Sequence, residues 1–306
     1  MGFFLEVLIG GLLGGVLYAL VALGFVLIFK ASGILNFAQG AMVFAAGLGF
    51  AAAMEKTSAH MPFALALATS LLLATGMMLL TAWAIERFVL RPLVNQNGLT
   101  LFMATIGVAF MVEGLAQQIF GNNIRRIDVG LPKTSMFILE SQFDGGILVN
   151  ALDLWTAVIA ALLVVALSLF FQNTRTGRAL RAVADDHTAA QSVGIPLNWI
   201  WFIVWSIAGG VALVAAIVWG SKIGVQFALT FVALKALPVL IVGGLTSIPG
   251  AIVAGLLVGM GEKFAEVYLG PSLGGGIEQW FAYVLALFVL LVRPQGLFGE
   301  RIIERI

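Results

Sequence analysis

Long apolar runs dominate the chain, and short polar stretches separate them. Residues 3–29, 34–53, 62–85, 99–120, 151–171, 199–220, 227–242, 248–261 and 277–292 are each predominantly apolar. A helix crosses a hydrocarbon core about 30 Å thick with about 20 apolar residues, and most of these runs reach that length. Lipid offers no partner to backbone N–H and C=O groups, so long apolar runs there are helices that satisfy themselves. The pattern predicts an all-α, polytopic integral membrane protein with about nine transmembrane helices, bounded by eight and ten. Two of the runs, 227–242 and 248–261, are short and meet at Gly243-Gly244-Leu245-Thr246-Ser247-Ile248-Pro249-Gly250. They read as a tight helical hairpin or as broken half-helices. Run 34–53 carries Asn36, Gln39 and Gly40 in its first turns and is expected to be irregular there.

Composition supports the same picture. Apolar residues make up 61% of the chain and charged residues 10%, more apolar surface than one soluble core could hide. The longest polar stretches, 121–150 and 172–198, are too short to fold alone, so 1–306 reads as a single membrane domain. A net charge of +1 implies no nucleic-acid partner. With no cysteine, the chain has no disulfide or thiol chemistry. The first run lacks a positive n-region and is too long for a signal h-region, so it reads as a retained span.

Lys and Arg near the run ends set an orientation. One alternating arrangement gathers Lys30, Arg87, Arg91, Arg175, Arg178, Arg181, Arg293, Arg301 and Arg305 on one side, expected to be the cytoplasm. Lys56, Arg125, Arg126, Lys133, Lys222 and Lys263 fall on the other, among several acids. The N-terminus is then outside and the C-terminus cytoplasmic. Stretch 121–150, with Asp128, Glu140 and Asp144 among its basic residues, faces outside and suits either a solvated loop or a rim for a soluble partner. Glycine is abundant, at 36 residues, and the pairs Gly10/Gly14 and Gly11/Gly15 have the small-xxx-small spacing that lets helices approach closely in lipid.

The polar stretch 173–196 reads as one short helix. Asn173 or Thr174 can cap its start, and Gly194 followed by Pro196 ends it. Leu180, Val183, Ala184 and Val193 form an apolar stripe, with Arg178, Arg181, Asp185 and Asp186 largely elsewhere. So short a helix needs something to pack on, and the pattern leaves a solvated connector or a docking element as the two readings.

This stretch resembles the cytoplasmic coupling loop of branched-chain amino acid ABC-transporter permeases, the LivH-like family. Ala189-Ala190-Gln191-Ser192-Val193-Gly194-Ile195 matches the Ala-Ala-x-x-x-Gly part of that family's ATPase-docking pattern, with Thr188 at its acidic position. Gly33-Ile34-Leu35-Asn36-Phe37-Ala38-Gln39-Gly40 is similar to its Asn-Phe-Ala-(His/Gln)-Gly signature. Gly243-Gly244-Leu245-Thr246-Ser247-Ile248-Pro249-Gly250-Ala251 resembles its Gly-Gly-x-Gly-Ser-x-x-Gly-Ala loop, with Thr246 in place of a glycine. Arg293-Pro294-Gln295-Gly296-Leu297-Phe298-Gly299 resembles its C-terminal ending. The matches run from the first span to the last in the expected order.

The resemblance implies an ABC importer architecture with broken helices in the inner membrane of a bacterium. It implies solute movement by alternating access, with branched-chain or other hydrophobic amino acids as solutes. The implied partners are a second homologous permease subunit, two ATPase subunits and an extracytoplasmic substrate-binding protein. ATP and Mg would be used by the partners, since the chain has no Gly-x-x-x-x-Gly-Lys-Ser/Thr loop and no cofactor site of its own. The docking residues implied are Arg178, Arg181, Val183, Ala189, Ala190 and Gly194.

Asn36, Phe37, Gln39 and Gly40 read either as the cap of a broken helix or as a gate on the translocation path. Glu113 and Lys235 fall near mid-membrane, where a charge costs about 2.5–3.5 kcal/mol, so each must pair, face a cavity or neutralise. A Glu113–Lys235 pair is one option; water or another subunit is the other. His60 and His187 lie far apart and imply no metal site. The rival readings are a same-family permease for urea, short amides or small aromatic or carboxylic acids, and a self-sufficient secondary transporter or channel. The latter predicts coupling-ion sites in broken mid-membrane helices. No enzyme-like constellation of His, Asp or Ser stands out, so the chain is read as a transport subunit.

Overall fold

A computed structural model describes residues 2–94, 96–138, 146–185 and 187–299. Glu140, Asp144, Asp186, Arg301 and Arg305 lie outside the described residues. The elements run α1 (Gly2–Ser32), α2 (Gln39–Ser58), α3 (Phe63–Ala84), α4 (Gly98–Phe120), β1 (Ser135–Ile138), β2 (Ile147–Asn150), α5 (Ala151–Asn173), α6 (Arg175–Asp185), α7 (His187–Ser192), α8 (Leu197–Ile223), α9 (Thr230–Gly243), α10 (Ile248–Phe264), α11 (Gly270–Leu273) and α12 (Phe281–Val292).

The fold is the polytopic helical one that the apolar runs predict. Among the described residues, six helices are long and apolar enough to cross a bilayer: Gly2–Ser32, Phe63–Leu93, Gly98–Phe120, Ala151–Asn173, Leu197–Ile223 and Ile248–Leu273. The segments Phe227–Gly243 and Phe281–Val292 are apolar but shorter. Two of the six long spans extend by π-helical turns, Ile85–Leu90 after α3 and Ala265–Leu269 after α10. The second apolar run starts later than its composition suggests. Residues 33–38 are not helical, and α2 begins only at Gln39.

The chain divides into two compact units. One comprises Leu27–Val129 and Ala166–Leu234. Here α2 is the central helix, wrapped by α3, α4 and α8. Every residue of α2 from Gln39 to Ala52 is buried. That explains its Gly- and Ala-rich sequence: small side chains let three neighbours approach its backbone. A Cβ at Gly47 would sit 3.0 Å from Val225, and one at Gly209 on α8 would sit 3.2 Å from Met78 on α3.

The other unit comprises Met1–Val26, Gly130–Val165 and Lys235–Ile306. In it α1 crosses α10 backbone to backbone. A Cβ at Gly15 would lie 2.6 Å from the Gly255 carbonyl oxygen, and one at Gly259 would lie 2.4 Å from Gly15 Cα. Of the two small-xxx-small pairs, Gly11/Gly15 makes this crossing, while Gly10 and Gly14 face open space. The polar stretch read as a loop contains an antiparallel hairpin, β1 against β2, with Ser135 paired to Asn150. In β2 Ile147 and Val149 point inward while Leu148 and Asn150 are exposed, an alternation too short to register in the sequence.

Candidate functional site

The break between α1 and α2 is held by a buried polar knot. Ser32 turns its hydroxyl back to the Ile28 carbonyl, and Gly33 adopts φ +68°, a left-handed conformation suited to glycine. The chain then reverses around Asn36. Its Oδ1 accepts the Ala38 N–H at 3.0 Å, and its Nδ2 donates to Gln39 Oε1 at 3.1 Å. Gln39 Nε2 donates in turn to the Ala208 carbonyl of α8 at 3.3 Å. From α4, Thr105 donates to the Leu35 carbonyl at 3.2 Å and accepts the Phe37 N–H at 3.4 Å. The Phe37 ring packs edge-on against Phe102.

The knot satisfies backbone groups that a helix break would otherwise strand in an apolar interior. Asn36 and Gln39 are fully buried. Gly40 is dictated by contact: a Cβ there would sit 2.2 Å from the Thr230 carbonyl oxygen. The four residues named by the sequence thus meet at one place. Thr105 completes the knot and was missed. Its one available signal was a hydroxyl side chain in the apolar part of its run, residues 101–112.

The stretch 173–196 is helical as expected, in α6 and α7. Thr174 is the cap, accepting the Gly177 N–H at 2.9 Å. At the other end Gly194 takes φ +85°. Its N–H reaches the Gln191 carbonyl at 3.0 Å, and the Ile195 N–H reaches that of Ala190 at 3.1 Å. This is the paired-bond pattern of a Schellman stop.

The apolar stripe differs from expectation. Leu180 and Val183 are buried against the protein's own chain, where α6 packs on α8, and Ala190 of α7 is buried as well, so of the stripe only its Val193 end is left open to a partner. Val183 and Ala190 therefore offer no free docking surface, because tertiary packing has already covered them. Arg178, Ala189, Gly194 and Val193 are exposed, the last to 75%. Arg181 and Arg178 lie over the C-terminal end of α5 and donate to the Gln172 and Asn173 carbonyls at 3.3 and 3.5 Å. Cations there complement the carbonyl end of the helix.

Two further motifs, 243–251 and 293–299, dock on one another. The Leu297 N–H donates to the Val242 carbonyl at 2.8 Å and the Phe298 N–H to that of Gly243 at 3.2 Å. Gly244, at φ +101°, would place a Cβ 2.7 Å from the Gly299 nitrogen. Ser247 caps α10 by accepting the Gly250 N–H at 3.0 Å. The junction of α9 and α10 is thus a short hairpin-like turn, clamped by the chain's last described residues.

The two intramembrane charges each find partners within their own unit. Glu113 accepts from Gln117, one turn on, at 3.3 Å. Lys235 lies against the Tyr18 ring, its Nζ 5.9 Å from the centroid and 3.5 Å from the Glu278 carbonyl oxygen. The Tyr18 hydroxyl is hydrogen-bonded to Glu262, a buried carboxylate. Neither Tyr18 nor Glu262 was singled out from sequence, because Glu262 reads as a span-end acid and Tyr18 as one more aromatic in an apolar helix. Among the described residues, no group of three or more His, Cys, Asp or Glu could hold a metal ion.

Comparison with known proteins agrees with the motifs. The family described as "Branched-chain amino acid transport system / permease component" matches residues 7–293. The high-affinity branched-chain amino acid transport system permease protein BraD of Pseudomonas aeruginosa is 30% identical over 312 residues, covering 99% of this chain and 98% of its own. The corresponding protein LivH of Escherichia coli is 27% identical over 324 residues, with the same coverage of 99% and 98%. A fructose import permease protein, FruG of Bifidobacterium longum, is 25% identical over 251 residues, 78% of this chain and 68% of its own.

Proposed function

This chain belongs to the family of branched-chain amino acid transport system permease components, and we propose on that premise that it carries amino acids inward as one half of an ATP-driven importer. The observation that supports this most is the family match across residues 7–293, together with relatives of equal length named for branched-chain amino acid transport. The chain itself is a permease component and not an enzyme; ATP, with Mg, would be bound and hydrolysed by two separate ATPase subunits. A second related permease would complete the membrane path, and an extracytoplasmic binding protein would deliver the solute. The assembly would sit in the bacterial inner membrane, with the ends of α5 and α8 that flank α6 and α7 on the cytoplasmic side.

Within this reading the roles divide by geometry. The buried knot at Asn36, Phe37, Gln39 and Gly40 fixes the helix break beside the path and would move as a unit between the inward- and outward-facing states. Glu113 and Lys235 would border the path. The exposed part of α6 and α7, with Arg178, Ala189, Val193 and Gly194, would meet the ATPase. Arg181, Val183 and Ala190 support that surface from beneath. ATPase-driven motion would then reach α8, on which α6 packs.

The test is uptake of radiolabelled solutes by the complex of this chain with its partner subunits in vesicles. Leucine, isoleucine and valine are expected to enter only with ATP inside and the binding protein outside. Uptake of fructose or urea in place of amino acids would reassign the solute while keeping the class. Uptake driven by an ion gradient, without ATPase subunits, would overturn the class.

A further inference from the structure

Three helices of one unit bring a cation and an acid together inside the membrane region: Tyr18 from α1, Lys235 from α9 and Glu262 from α10. The Lys235 ammonium meets the Tyr18 ring and the Glu278 carbonyl, at 5.9 Å to the ring centroid and 3.5 Å to the oxygen. Among the described residues it has no carboxylate within the 4.0 Å of an ion pair. Three N–H donors therefore share one long hydrogen bond and a ring face. The counter-charge stands one side chain away. Glu262 is 4% exposed, is hydrogen-bonded by the Tyr18 hydroxyl, and keeps one oxygen, Oε1, buried without a hydrogen-bond partner. Near it Glu278 and Lys263 approach to 3.9 Å.

Such an arrangement is costly for a purely structural one. A lysine pinned only for packing would be cheaper as leucine, and a lysine meant for an internal ion pair would touch Glu262 directly. Here the cation is aligned by an aromatic face and a backbone carbonyl, has an acid one side chain away, and is left half-buried with donors to spare. A fixed ammonium with unused donors binds a carboxylate well, through charge-assisted hydrogen bonds. Acids close behind it suit a ligand that also carries a positive charge.

We propose that Lys235 is the residue that recognises the carboxylate of the passing solute, with Tyr18 and Glu262 as positioning residues that hold its ammonium toward the path. This rests on the proposed amino-acid import. It deepens that reading by making a carboxylate a requirement of the membrane path itself, and not of the binding protein alone.

The absence of cysteine from the chain provides the test. In the full transporter, Lys235→Cys removes the ammonium. Treatment with aminoethyl methanethiosulfonate then attaches a side chain ending in an ammonium, through a disulfide to the cysteine sulfur, with methanesulfinate as the leaving group. Methyl methanethiosulfonate attaches a neutral cap by the same chemistry. The expected result is a fall in maximal uptake of the imported amino acid of about ten- to a hundredfold in Lys235→Cys, the loss of one charge-assisted hydrogen bond. The half-saturating solute concentration, set by the binding protein, should not change, and ATPase association should remain normal. The ammonium reagent should restore most of the uptake, the neutral one none of it, and wild type should respond to neither. Tyr18→Phe should reduce uptake less than Lys235→Cys does.

Uptake in Lys235→Cys within about twofold of wild type would overturn the proposal, being smaller than one hydrogen bond. So would equal rescue by both reagents. Loss of membrane accumulation in Lys235→Cys and in Lys235→Gln alike would make the residue structural and overturn it too. A wild-type transporter that imports none of a panel of amino acids would remove the proposed function as well, whereas an active wild type with an indifferent Lys235→Cys removes this inference alone.

Discussion

Single atoms decide the tightest places in this molecule. Gly40 has no space for a methyl group before the Thr230 carbonyl, 2.2 Å from where a Cβ would lie. Backbone cannot yield there without moving the start of α9, so Gly40→Val should cost about 1–3 kcal/mol or more, as overpacking does. The measurement is the thermal melting of the detergent-purified complex, with uptake alongside. Gly14→Val is the matched control, because nothing lies within 4 Å of it, and it should melt as wild type does. If Gly40→Val also melted normally, the close approach would be relieved at no cost and the contact would not matter. Thr105→Val tests the knot in the same assay. It keeps the shape but removes the Thr105 hydroxyl from the Leu35 carbonyl and the Phe37 N–H, leaving them only their bond to each other at 3.2 Å. The variant should therefore be destabilised by about 0.5–1.5 kcal/mol, the worth of a lost hydrogen bond; a change within error would show that the remaining bond suffices.

At the scale of elements, what the sequence revealed and what it hid separate along a physical line. Signals carried by one residue and its immediate neighbours were legible: the Thr174 cap, the Gly194 stop, the irregular start of α2, and the Gly11/Gly15 face that α10 uses. Signals that depend on what the chain packs against were not. Leu180 and Val183 of the stripe read as available to a partner because their own cover, α8, follows them in the chain and cannot be inferred from periodicity. Thr105 and Tyr18 looked ordinary because their partners, Leu35 and Glu262, lie far along the sequence. This division sharpens the expectation for α6 and α7. A charge at a covered position, Ala190→Glu, should unseat α6 and α7 and lower membrane accumulation. A charge at an exposed one, Val193→Glu, should leave accumulation intact while reducing ATPase co-purification and uptake severalfold, since a buried unpaired charge disrupts an interface. Equal behaviour of the two variants would deny that exposed and covered faces have different jobs. Gly194→Ala, at φ +85°, should cost about 1 kcal/mol at the helix stop and fall between them in ATPase co-purification.

For the whole molecule the open choice is which face meets the cytoplasm, and one unit contains the argument. Its helix α8 has 27 residues and so spans about 40 Å. Beside its first turn, with the Asn198 amide oriented to accept, Arg91 donates to Asn198 at 2.6 and 3.0 Å. Just past its last turn Arg125 exchanges backbone hydrogen bonds with Val225, at 3.1 and 2.7 Å, and pairs with Glu55. The two sets of basic residues separated by the sequence pattern therefore mark opposite ends of α8. At the first end stand Arg87, Arg91, Arg175, Arg178 and Arg181; at the second, Lys56, Arg125, Arg126 and Lys222 are interspersed with Glu55 and Asp128. Orientation follows the Lys and Arg bias of short loops, and acids count for little, so the first end, richer and more tightly clustered, should be cytoplasmic. The absence of cysteine again makes the test direct. Arg178→Cys and Arg126→Cys are both at exposed positions, and a membrane-impermeant maleimide reports which side each one faces. In intact spheroplasts Arg126→Cys should label and Arg178→Cys should not, while permeabilised membranes should label both. Labelling of Arg178→Cys alone in intact spheroplasts would invert the orientation and, with it, the side on which an ATPase could reach α6 and α7.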